Sequence, residues 1–151
     1  MYELTTTLFT TLPKVREATG GRISDPREIN ALMRDTSELA QEAFTVITLN
    51  AKNRVIDRHL ITLGIADASI VHPREVFRAA IADGACQIIV THNHPSGDPT
   101  PSKEDCDITR RLIEAAKILG IRIVDHVICG RPSDMTPGFV SLREKHLVAF
   151  E

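Results

Sequence analysis

Apolar residues recur along this chain at two alternating periods, and the switches between them mark out its elements. Asp25 as an N-cap, Pro26 at N1 and Glu28 at N3 precede Ile29, Leu32, Thr36 and Leu39 at spacings of three and four, which predicts a helix reaching about residue 40. Residues 44–49 are rich in β-branched side chains, residues 50–53 break the pattern, and residues 55–61 resume it, which reads as a hairpin. Pro73 opens a second helix with Val76, Phe77, Ala80 and Ile81 as its apolar stripe and Gly84 as its stop. A strand over residues 86–91, a loop over 92–101, a helix from Ser102 to Gly120 and a strand over 121–130 follow, with residues 138–142 adding a short strand. Residues 1–20 alternate poorly and end in Thr19-Gly20-Gly21, an N-terminal arm or edge strand ahead of one domain over 21–151. Interleaved helices and strands that include a hairpin predict an α/β fold, a mixed β-sheet flanked by helices.

Length and composition fit that picture. The 151 residues, 42% hydrophobic and 25% charged, suffice for one buried core and leave no room for a second full domain. A formal charge of −2 gives no general pull toward phosphate backbones or anionic lipid, so DNA binding is not expected from charge. Cys86, Cys106 and Cys129 form an odd set without a CxxC pair, which fits a reducing compartment, the cytoplasm, and neither a disulfide framework nor a thiolate zinc site. No stretch fits a membrane span or a secretory leader.

Candidate chemistry concentrates in the loop after the third predicted strand. His92 and His94, two apart at a strand end, project to one side and can share an ion. Asp105 has two readings. With Ser102 it forms the Ser-x-x-Asp capping box of a helix start, and it also extends the stripe Ile108, Leu112, Ala115, Leu119 by one step, which turns it inward toward the two imidazoles. An inward carboxylate is costly unless paired or bound to a cation. Two imidazoles and one carboxylate leave a tetrahedral position open, the pattern of catalytic metal sites; zinc suits the set best, and manganese, iron and nickel also accept such ligands.

The segment His92-Asn93-His94-Pro95-Ser96-Gly97-Asp98-Pro99-Thr100-Pro101-Ser102 closely resembles the signature of RadC-like proteins, and H-x-H-x7-S-x2-D from His92 to Asp105 is similar to the JAMM motif of MPN-domain metalloproteases. The resemblance extends over about residues 20–150, including Val71-His-Pro-Arg-Glu-Val76 and Asp125-His126-Val-Ile-Cys-Gly130. It implies the MPN/JAMM, cytidine deaminase-like architecture, with one Zn2+ per chain held by His92, His94 and Asp105. It also implies Glu42 as the catalytic carboxylate that handles the proton of the attacking water, and Ser102 as a hydroxyl donor to the oxyanion. Residue patterns alone do not single out Glu42. The implied activity is hydrolysis of a peptide or isopeptide bond in a protein or peptide substrate, and a homodimer is compatible with it.

Two other functions compete. A DNA-repair-associated role follows from the label that RadC-like proteins carry, but the helix-hairpin-helix module of longer members has no room before residue 20, and one tyrosine, five phenylalanines and no tryptophan offer no stacking platform. A non-catalytic MPN interaction module is the other. A zinc nucleobase deaminase would need H-x-E followed by P-C-x-x-C, which is missing. His126 is expected to be a satisfied strand residue, His59, His72 and His146 to lack metal-spaced partners, Cys86 to be a small buried hydrophobe, and Arg110-Arg111 a solvated face.

Overall fold

The computed structural model describes residues 16–64 and 70–150. Most of the expected arm therefore lies outside the described residues. Residues 16–19 form no strand, and pairing starts where Gly20 donates to the Val55 carbonyl and Val55 to that of Gly21.

Asp25 caps α1 (Pro26–Leu32) as expected: its side chain accepts from the Arg27 N–H, and Glu28 closes the capping box. The single helix expected to residue 40 is instead two. The backbone leaves helical geometry at Met33 (φ −99°, ψ 13°), and a short α2 (Arg34–Ser37) restarts after it. The cause is local. Thr36 and Ser37 turn their hydroxyls onto the carbonyls of Met33 and Arg34, competing with the helical ladder.

The hairpin forms from β1 (Ala43–Leu49) and β2 (Val55–Leu63). Next come α3 (Pro73–Asp83), β3 (Gln87–Asn93), α4 (Lys103–Leu119), β4 (Arg122–Cys129) and β5 (Phe139–Ser141). The sheet order is β2-β1-β3-β4-β5, in which β3 and β4 are parallel and the other neighbours antiparallel. This is the expected α/β arrangement of a mixed sheet between helices. β1 is buried along its whole length because both faces are covered. Val46, Ile88 and Val90 pack with Val76, Phe77, Ile108 and Leu112 from α3 and α4, while Ile47, Leu49 and Ile89 pack with Ile29 and Met33 on the opposite face.

Two burial expectations are corrected. Ile81 is 57% exposed, because at 3.6 residues per turn it lies about 140° from Val76 around α3. Asp83 takes the inward place on that face. Cys86 is exposed: it precedes β3, outside the sheet that buries Ile88. Among the described residues no helix is long and apolar enough to cross a membrane.

Candidate metal centre

Two elements meet at the carboxyl end of β3. That strand runs two residues further than expected, so His92 belongs to it, and the His92 and His94 Nε2 atoms approach to 3.1 Å. α4 begins opposite. Ser102 is its N-cap, with Oγ accepting from the Asp105 N–H at 3.1 Å while Asp105 Oδ2 accepts from the Ser102 N–H at 2.8 Å. The same carboxylate, 3% exposed, lies 3.1 Å from His92 Nε2 through Oδ1 and 3.4 Å from His94 Nε2 through Oδ2. Both readings of Asp105 therefore hold at once. One N3 carboxylate closes the capping box and faces the imidazoles, since the first turn of the helix points at the strand tip.

The donor set fits a tetrahedral cation. Ligand atoms about 2.0–2.1 Å from an ion stand about 3.3 Å apart along a tetrahedron's edge, and the three separations here are 3.1, 3.1 and 3.4 Å. His92, His94 and Asp105 offer atoms that all lie within 4.8 Å of one another. Two imidazole lone pairs aimed at each other beside a carboxylate repel unless positive charge sits between them. The titration of the side chains reflects this demand. Burial works against the Asp105 anion, but the adjacent His92 and His94 rings, whose charged forms it favours, and the hydrogen bond from the Ser102 N–H hold its pKa far below the usual range. Burial likewise disfavours the His94 cation, and the bonds to Asp105 and to the Asp98 carbonyl outweigh it and raise its pKa. That carbonyl, 2.8 Å from His94 Nδ1, can only accept, so Nδ1 carries the proton and Nε2 keeps its lone pair for the site.

Glu42 arrives from the neighbouring strand. β1 runs antiparallel to β3 with Phe44 opposite His92, which brings the residue just before β1 to the strand tip. Glu42 Oε1 lies 3.9 Å from His92 Nε2, and its side chain is 14% exposed. Asn93, between the two histidines, points to the other face. Its Oδ1 accepts from the Ala43 N–H at 2.6 Å and its Nδ2 donates to the Gln41 carbonyl at 3.0 Å, pinning the backbone on both sides of Glu42. Phe44 stacks on the His92 ring at a centroid distance of 5.9 Å and walls the site from the core.

Sequence reasoning missed two groupings. His126 is the satisfied strand residue expected, completely buried, but its partners were not foreseen: its Nε2 lies 2.8 Å from His92 Nδ1 and its Nδ1 lies 2.6 Å from Thr109 Oγ1. Burial first, then the adjacent His92, push its pKa well below the ordinary value. The signal was the parallel register, because His126 in β4 pairs with Val90, two residues before His92. His59, expected to stand alone, clusters with Asp57 and Asp83. There the Arg16 guanidinium already supplies the positive charge, contacting both carboxylates. His72 and His146 join neither cluster. Arg110 is solvated as expected and pairs with Asp107.

Comparison with known proteins places the sequence in a family. The chain is similar to a UPF0758 protein of Caldanaerobacter subterraneus subsp. tengcongensis, with 49% identity over 130 residues, 85% of this chain and 54% of the relative. A UPF0758 protein of a Geobacillus species is 54% identical over 117 residues, 78% of this chain and 50% of its own length. One from Clostridium perfringens is 46% identical over 136 residues, covering 89% and 58%. The chain thus spans about half the length of the curated relatives it matches. A family model described as the RadC-like JAB domain matches residues 23–147, which hold the convergent histidines, the capping aspartate and the strand that delivers Glu42, and the chain belongs to that family.

Proposed function

We propose that this chain is a zinc-dependent metallopeptidase that hydrolyses a peptide or isopeptide bond, with His92, His94 and Asp105 holding the ion, Glu42 moving the proton and Ser102 stabilising the oxyanion. The observation that carries the reading is the separation of roles around one point. Three side chains meet at tetrahedral spacing while a fourth, the Glu42 carboxylate, stands 3.9 Å from the nearest ligand nitrogen, close enough to reach a water and outside the ligand ring. When bound, the ion supplies Lewis acidity that brings the pKa of a water toward about 7.

Glu42 takes the proton of the attacking water and returns one to the departing amine, the task of a general base that becomes a general acid. Asn93 and the start of β1 hold it there. Ser102 accepts the helix N–H with one lone pair and keeps its own O–H as a donor to the carbonyl oxygen as negative charge develops, a contact of a kind worth about 3 kcal/mol. The buried His92 and the Phe44 wall exclude water from the inner side, which strengthens each of these interactions.

The test pairs metal analysis with cleavage. Purified protein should carry about one metal ion per chain, and His92→Ala with His94→Ala should remove it. Glu42→Gln should keep the ion while cleavage of peptide and isopeptide libraries falls by about 10²–10⁴-fold. Equal cleavage by both proteins removes Glu42 from the mechanism. A loaded wild type inert on every substrate favours an interaction module.

A further inference from the structure

We propose that Thr109 and His126 form a buried positioning relay that fixes the tautomer of His92 and so aims its Nε2 lone pair at the candidate metal centre. Each hydrogen along this path has one place to go. Thr109, inside α4, lies 2.6 Å from the carbonyl of Asp105 one turn earlier. A carbonyl can only accept, so the single hydroxyl hydrogen of Thr109 goes to it, and the hydroxyl oxygen faces His126 Nδ1 as an acceptor at 2.6 Å. His126 Nδ1 therefore carries a hydrogen. A completely buried neutral imidazole then has a bare Nε2, which lies 2.8 Å from His92 Nδ1 and must accept from it. His92 thus bears its hydrogen on Nδ1, and its Nε2 is left free 3.1 Å from both His94 Nε2 and Asp105 Oδ1.

The chain closes on itself. It starts at the backbone of Asp105 and ends on the ring that faces the Asp105 carboxylate, so the position of α4 and the tautomer of His92 are set together. Packing keeps the rings in place: His126 meets Phe44 edge-on at 5.8 Å, and Phe44 stacks on His92. Partners of this kind typically change metal affinity by about 10–100-fold when removed. His94 has a separate and simpler anchor in the Asp98 carbonyl, so the two imidazoles are oriented independently.

The relay's metal consequence rests on the reading of the site given above; its tautomer consequence does not, and the experiment reads the two separately. Metal-free protein with 15N-labelled histidine is compared at neutral pH by long-range 1H–15N imidazole correlation, and Zn2+ affinity is measured by competition with a chromophoric chelator. Wild type and Thr109→Ser should show His92 with its hydrogen on Nδ1. Thr109→Val, nearly the same shape without a hydroxyl, should lose that signature as His126 flips its tautomer, and should bind Zn2+ about 10–100-fold more weakly, with Thr109→Ser within a few-fold of wild type. The wild-type spectrum alone decides the first point: a hydrogen on His92 Nε2 overturns the relay, whatever the fate of the valine variant. Unchanged Zn2+ affinity in a folded Thr109→Val overturns its role toward the metal. The expected tautomers in a wild type that binds no Zn2+ support the relay and overturn the metal site instead.

Discussion

Gly130 shows how little freedom a single position has beside this site. A Cβ there would collide with the Gly97 carbonyl oxygen and sit 2.9 Å from the carbonyl carbon, and those atoms belong to backbone that cannot swing aside. Gly97 itself turns the loop with φ +88°, and the Arg131 guanidinium braces that turn from outside by donating to the carbonyls of Pro95 and Ser96. One residue further on, the Asp98 carbonyl orients His94. Gly130→Ala should therefore cost about 1–3 kcal/mol of stability, the range for overfilled sites, and weaken metal binding through the displaced loop. Gly21 is the matched control, with nothing within 4 Å of an added Cβ; Gly21→Ala should stay within about 0.5 kcal/mol. Urea unfolding of the metal-free proteins checks both, and equal midpoints for the two variants would refute the steric argument.

Elements bring together what no single residue can. Asn93 lies in β3 yet satisfies the Ala43 N–H at the start of β1, so the strand that presents His92 also sets the backbone beside Glu42. Asn93→Ala should leave the three candidate ligands intact and Zn2+ affinity within a few-fold of wild type. It should also strand a buried N–H, cost about 1–3 kcal/mol and lower kcat of the proposed cleavage through a misplaced Glu42. Chelator competition with single-turnover cleavage separates these effects, and a loss of Zn2+ affinity equal to the loss of rate would refute the division of labour. The same contrast explains what the sequence made legible. His92, His94, Ser102 and Asp105 lie within fourteen consecutive positions, and strand alternation, capping chemistry and helical period suffice to make them converge. Glu42 and His126 reach the site through strand pairing across 50 and 34 residues, and pairing register leaves no mark on local periodicity. The break at Met33 and the inward turn of Asp83 were hidden for a different reason. Hydroxyl back-bonding and an ion pair between the buried Asp83 and the half-exposed Arg16 override the apolar period there.

At the scale of the whole molecule, acid should act on the fold through carboxylates that folding holds ionised. Asp83 is the most deeply placed of those outside the candidate site, at 3% side-chain exposure, and it ties the end of α3 to β1, β2 and residue 16. Burial would raise its pKa, but the Thr48 hydroxyl at 2.7 Å, His59 at 2.6 Å and Arg16 at 2.9 Å more than offset it, and the pKa falls below the ordinary value. A group whose folded pKa is depressed contributes stability that is complete above its unfolded pKa of about 3.9 and disappears as pH falls through the folded value. Asp83→Asn keeps the shape and removes the charge. It should cost about 1–3 kcal/mol at pH 7, and the gap from wild type should stay constant down to about pH 5 and then narrow as wild-type Asp83 takes up its proton. Subtracting the two proteins isolates Asp83 from Asp25, Asp35 and Asp105, whose pKa values are also lowered and which share none of its partners, whereas Asp57, which shares Arg16 and His59 with it, responds together with it. Urea midpoints across that pH range provide the measurement. A gap that instead widens as pH falls toward about 4 and then levels off would mean that folding raises the Asp83 pKa, and that the Arg16–Asp83–His59 network does not link these elements by charge.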